Sequence, residues 1–284
     1  MTFEKPRPAS QDDINRIIEC FAHAAEFLYN AGFDGIQLHG AHGYLLAQFL
    51  SSTTNKRTDE YGGSLQNRMR LILEIAEAVH ERVPSSFVLG IKINSVEFQE
   101  GGFTPDEAQQ LCRALEDSRF DYVELSGGTY EESAFAHKRE STKKRECFFL
   151  DFAREIVPGL TKTRSYVTGG FNTLGAMVKA LDTVDGVGLA RPVCQEFHLP
   201  ADLLEGKVKG AIKQGLDPQN FGLTYLAAGS QICRVGKDKE PIDFSRKENV
   251  NQFMKDLEAW QKKMAEDKEG KEYGYIDVSA DCCE

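Results

Sequence analysis

The segment His39-Gly40-Ala41-His42-Gly43-Tyr44 places two imidazoles and a phenol directly after the apolar run Phe33-Asp34-Gly35-Ile36-Gln37-Leu38. Two imidazoles three residues apart can both donate to one carbonyl oxygen and polarise it. A tyrosine hydroxyl beside them can protonate carbon. The same pair could ligate zinc, although no third histidine or carboxylate stands at an obvious strand end with it. A purely structural pair is the ordinary reading of such spacing taken alone.

The flanking sequence shows which elements must position these residues. Ser10 and Asp13 have the form of a capping box, and Ile14, Ile17, Ile18, Phe21, Ala25 and Leu28 recur at helical spacing. A strand carrying Ile36 and Leu38 follows. Ser64 and Thr104-Pro105-Asp106-Glu107 read as two further helix starts, with strands predicted over 87–93 and 122–125. A short helix over 149–157, a strand over 165–168, a helix near 174–181 and a strand over 186–190 complete the alternation. The polar stretch from 127 to 146 is longer than the usual connection and is expected to be a lid or a mobile insertion.

Strict β-α alternation predicts a parallel sheet with helical crossovers, as a doubly wound sheet or a (β/α)8 barrel. Active sites in both lie at the C-terminal ends of the strands, where His39, His42 and Tyr44 fall. Lys92 ends the next strand. Gly169-Gly170-Phe171 and Ala190-Arg191 follow the last two strands, where backbone N–H groups can hold an anion. A nucleotide-binding doubly wound domain would need a GxGxxG between its first strand and helix, which is missing here. Beyond about residue 196 the alternation stops, leaving a basic helix expected near 203–212, a glycine-bearing loop, an amphipathic helix near 250–264 and a charged tail.

Composition narrows the partners. With 44 Asp and Glu against 34 Lys and Arg, the net charge of −10 argues against nucleic acid or an anionic membrane surface as the main partner. The 7 cysteines show no CxxC pairs or metal-ligand spacing, which suits a reducing compartment. Neither a signal peptide nor an apolar run of ~20 residues is found, so a cytoplasmic protein without a metal is expected.

The string that continues from the histidine cluster is longer and more specific. Leu45 to Leu50, then Thr54-Asn55-Lys56-Arg57-Thr58-Asp59-Glu60-Tyr61-Gly62-Gly63-Ser64, then Asn67-Arg68, resembles the old yellow enzyme family of FMN-dependent reductases. The resemblance implies FMN as cofactor, NAD(P)H as reductant and an α,β-unsaturated carbonyl compound as small-molecule substrate. It makes His39 and His42 the anchors of the substrate oxygen and Tyr44 the proton donor; the position of His42 is Asn or His in different branches. Lys92 stands where the family carries a cation, often Arg, beside the flavin's pyrimidine edge, and a fixed positive charge there favours reduced, anionic flavin. Gly169, Gly170, Ala190 and Arg191 match the phosphate corner, with Ala190 in place of a more usual Gly. Thr58 to Gly63 and Asn67-Arg68 match a segment that buttresses the catalytic strand.

On this resemblance the strands correspond to about the fourth through the eighth of the barrel. The expected fold is therefore α/β, an incomplete (β/α)8 barrel with a C-terminal helical extension. Residues 1–196 would form the partial FMN-binding barrel and 197–284 the extension and tail. A full barrel takes ~250 residues, so about 100 or more are expected upstream. The strands carrying His39 and Ala190 would be open edges, which a partner chain or a homo-oligomer is expected to cover. Two functions of different class follow: an NAD(P)H-dependent ene-reductase, or a truncated, catalytically incompetent partial barrel or half of a split enzyme.

Overall fold

The computed structural model describes residues 6–97, 100–128, 149–218 and 220–279. All but the first two residues of the expected lid at 127–146 lie outside them. Ser10 opens α1 (Gln11–Asn30), and its hydroxyl accepts from the Asp13 N–H while the Asp13 carboxylate accepts from the Ser10 N–H. The reciprocal pair satisfies two backbone donors that a helix start otherwise leaves open. Next come β1 (Gly35–Gly40), the short α2 (Leu45–Leu50) and α3 (Leu65–Arg82), the last capped by Ser64. After β2 (Val88–Asn94), Thr104 and Glu107 close a second capping box at the start of α4 (Pro105–Asp117). Then follow β3 (Tyr122–Ser126), α5 (Leu150–Ile156), β4 (Arg164–Thr168), α6 (Leu174–Ala180) and β5 (Gly186–Gly188). The chain continues through α7 (Arg191–Gln195), α8 (Leu199–Leu204), α9 (Phe221–Val235) and α10 (Lys247–Glu266).

The described strands form one five-stranded sheet in the order β1-β2-β3-β4-β5, every neighbouring pair parallel. The expected α/β alternation is thus present, with α2 as an added turn of helix after β1. The chain divides into two compact units: 1–169 with 180–188, and 170–179 with 189–284.

Side-chain alternation gives the sheet of the first unit two unlike faces. Leu38, Leu89, Ile91, Ile93, Val123, Leu125 and Val167 are buried, as are Leu71, Ile72 and Ile75 of α3 and Leu111 and Leu115 of α4. This apolar side is the core, and its removal from water is the main stabilising contribution. The alternate residues Gln37, His39, Lys92, Tyr122, Glu124, Tyr166 and Thr168 are exposed or half-buried. Parallel sheets usually bury both faces in apolar side chains. This sheet instead presents one polar face, which carries His39 and Lys92.

The second unit has its own core of Phe244, Phe253, Leu257, Ile242, Ile276 and Val278. Two expectations fail here. The helix expected over 203–212 is instead α8, which ends at Leu204; Gly206 turns with φ +72° and Gly210 forms an antiparallel bridge with Thr173. The glycine-bearing stretch read as a loop contains α9. Its Gly229 lies where an added Cβ would stand 2.2 Å from the Tyr275 ring, so tertiary packing selects glycine within a helix.

Candidate active site

His39 is the penultimate residue of β1, and the chain leaves the strand in a turn of two consecutive left-handed residues, His42 with φ +61° and Gly43 with φ +78°. A non-glycine residue in this region is uncommon and persists where its surroundings hold it. The His42 N–H donates to Asn94 Oδ1 of β2 at 3.2 Å, and Asn94 in turn donates to the buried Glu97 carboxylate. The His42 ring nitrogen Nε2 lies 2.8 Å from Ser126 Oγ of β3. The turn brings three rings together: His39 lies 5.2 Å from His42 and 5.1 Å from Tyr44, centroid to centroid. Tyr44 precedes α2 and remains 48% exposed.

Lys92 belongs to the same cluster by register. His39, Lys92, Glu124 and Tyr166 form one row across β1 to β4. Lys92 Nζ donates to Glu124 Oε1 at 2.8 Å, and Gln37 Nε2 donates to Glu124 Oε2 at 2.8 Å. Burial pushes the Glu124 carboxyl up, but hydrogen bonds from Lys92 and Thr168 outweigh it and hold the group below its ordinary range. The fixed positive charge expected of Lys92 is therefore offset by a carboxylate on the next strand.

The same surroundings set the histidines. Burial, and then the Lys92 charge, lower His39 from its ordinary value and bring His42 down to about 4. Both rings are neutral at pH 7. A neutral imidazole still donates one N–H, so the pair can hold a carbonyl oxygen without protonating it.

The conspicuous string downstream fastens α2. Asn55 Nδ2 donates to the carbonyls of Phe49 and Tyr61 at 2.7 and 2.8 Å. Arg68, 5% exposed, donates to the carbonyls of Leu50 and Gly63 and pairs with Glu107. These bonds tie α2, which Tyr44 precedes, to α3 and α4.

Gly169, at the end of the first unit, has φ +137°, and Gly170, which opens its share of the second, has φ +77°; both are conformations that favour glycine. Ala190 is the residue before α7 rather than part of β5, and the Arg191 guanidinium donates to Thr224 Oγ1 at 2.7 Å. Burial lowers the pKa of Arg191. The structure thus brings His39, His42, Tyr44 and Lys92 together in one unit, while Gly170, Ala190 and Arg191 belong to the other. Among the described residues no group of three or more His, Cys, Asp or Glu is placed to hold a metal ion. No helix is long and apolar enough to cross a membrane.

The family model for NADH:flavin oxidoreductases / NADH oxidases matches residues 2–207. The chain belongs to this family. It is 53% identical over 269 residues to the NADH-dependent flavin oxidoreductase nadA of Aspergillus parasiticus, a match covering 94% of this chain and 61% of that protein. Among solved structures it is similar to a 2-naphthoyl-CoA reductase in complex with 2-naphthoyl-CoA, with a TM-score of 0.65, 29% identity, and 70% of this chain and 30% of that chain covered. An old yellow enzyme homologue from Zymomonas mobilis shares the fold, with a TM-score of 0.60, 23% identity, and 74% and 57% of the two chains covered. The resemblance to old yellow enzymes is borne out, and the neighbours are (β/α)8 barrels. The chain spans between about a quarter and three fifths of the length of the first curated relatives it matches.

Family membership implies FMN and a nicotinamide reductant. Within the first unit, Lys92 and Gln37 offer N–H donors of the kind that a ring edge of carbonyls and nitrogens would accept. Four residues of the site carried no notice in the sequence: Gln37, Asn94, Glu124 and Ser126. Their common signal is period-two polarity on otherwise apolar strands, as in Lys92 and Asn94 or Glu124 and Ser126.

Proposed function

We propose that this chain is an FMN-dependent oxidoreductase of the old yellow enzyme type that uses NAD(P)H to reduce the activated C=C bond of an α,β-unsaturated carbonyl compound. The observation that carries the reading is the cluster of His39, His42 and Tyr44 at the C-terminal end of β1, with the Lys92–Glu124 pair in the adjoining row. When bound, FMN supplies hydride, taken from NAD(P)H and passed to the β-carbon. His39 and His42, neutral at working pH, donate to the carbonyl oxygen and stabilise the charge that develops there. Tyr44 gives its proton to the α-carbon. Lys92 and Gln37 would hold the flavin edge, and by the family pattern Gly169, Gly170, Ala190 and Arg191 would hold its phosphate. Residues 1–196 would carry the flavin-binding strands and 197–284 a helical extension.

Addition of FMN to the purified chain tests this. Retained yellow flavin and oxidation of NADH or NADPH in the presence of a cyclic enone are expected. A colourless, inactive chain overturns independent catalysis.

A second reading, that these strands are the later part of a barrel completed by further polypeptide, is supported by the 61% coverage of the nadA relative and by β1 and β5 each pairing on one side among the described residues. Its signature is a chain that is colourless alone and turns yellow on co-expression with the part of that relative which this chain does not cover.

A further inference from the structure

The contact between His42 and Ser126 determines more than ring position. His42 Nε2 and Ser126 Oγ are 2.8 Å apart, and Ser126 is 6% exposed. The Ser126 carbonyl is already taken, accepting from the N–H and the hydroxyl of Ser95. Among the described residues, the Ser126 hydroxyl has no hydrogen-bonding neighbour other than the His42 ring.

Two arrangements are open to this pair. If Nε2 carried the proton, it would donate to Oγ, and the buried serine proton would have no acceptor among the described residues. If the serine donates, Nε2 is the bare acceptor, the hydroxyl is satisfied, and the one proton of the neutral ring sits on Nδ1. A buried donor left unmade is costly, whereas a made bond is mildly favourable, so the second arrangement wins. The hydrogen bond at one ring nitrogen selects the proton at the other.

We propose that Ser126 is a positioning residue that fixes His42 in the Nδ1–H tautomer and so makes Nδ1 the atom that donates to the substrate's carbonyl oxygen. The substrate half of this statement rests on the ene-reductase reading. In the opposite tautomer Nδ1 would carry a lone pair, and a carbonyl oxygen would meet repulsion in place of a donor. The His42 N–H is held separately by Asn94, so the serine's effect falls on the ring rather than on the turn.

Histidine-15N NMR of the full chain at pH 7, without FMN, reads the tautomer directly, with His42→Asn identifying the signals. The expected result is a pyrrole-type Nδ1 and a pyridine-type Nε2 for His42. Ser126→Ala should shift the tautomer ratio at least tenfold towards Nε2–H, the form a free side chain favours, while Ser126→Thr, which keeps the hydroxyl, should not. A protonated Nε2 in the wild-type chain overturns the proposal, as does an unchanged ratio in Ser126→Ala. If the serine variants do not fold, the wild-type spectrum decides alone. A chain that shows the Nδ1–H signature but neither retains FMN nor turns over an enone upholds the tautomer and overturns its assignment to a substrate.

Discussion

Lys92 and Glu124 stand opposite one another on adjacent strands, with Nζ 2.8 Å from Oε1 and both side chains less than a fifth exposed. The pair is buried enough for each charge to depend on the other. Lys92→Met and Glu124→Gln should each lower stability by about 1–2 kcal/mol, and the double variant should cost less than the sum. Urea denaturation in a double-mutant cycle measures this. The two single variants should also move the His42 pKa in opposite directions, up without the Lys92 charge and down without Glu124. General loosening would raise it in both.

Acid should weaken the fold through His42. Its folded value of about 4 lies below the ~6.5 of an unfolded histidine, so the unfolded chain binds the proton first as pH falls. The stability due to the neutral ring is complete above about pH 6.5 and is lost on the way down to about pH 4. Allowing for solvent screening of this half-buried ring, that contribution is about 1–2 kcal/mol. His42→Asn should flatten the fall between pH 7 and pH 5 in urea melts, and an unaltered slope would assign it elsewhere.

Tyr44→Phe separates proton donation from flavin chemistry. Enone reduction should slow by about 10²-fold or more, while reduction of the flavin by NAD(P)H keeps its rate. Stopped-flow absorbance follows the two half-reactions separately, and equal loss in both would exclude Tyr44 as the donor.

Loss of Arg68 should be severe. Arg68→Ala leaves the Glu107 carboxylate and the Leu50 and Gly63 carbonyls without their shared partner. About 3 kcal/mol of destabilisation is expected. Arg68→Lys should recover little, because one ammonium cannot reproduce a planar fork of donors. Chemical denaturation of the two variants provides the comparison.

The helix starts at Ser10, Ser64 and Thr104 were legible because capping is local: a hydroxyl and the third residue beyond it are enough. The strands were legible for a similar reason, as short apolar runs between turns. Helix α9 was hidden because Gly229 is explained by Tyr275, nearly fifty residues away in sequence, and no local pattern conveys that contact. The site divided in the same way. His39, His42 and Tyr44 are neighbours in the chain and could be read as a group. Glu124 and Ser126 join them only through the lateral order of the strands, which a linear text does not contain.

The left-handed backbone at His42 acts as a filter on chemistry. Few side chains tolerate this conformation, chiefly Gly, Asn, Asp and His. Glycine has no side-chain donor, and an ionised aspartate only accepts. Asn and His remain, the two residues that the old yellow enzyme pattern allows at this position. One dihedral angle thus narrows the residues able to bind a carbonyl oxygen here before any substrate is considered.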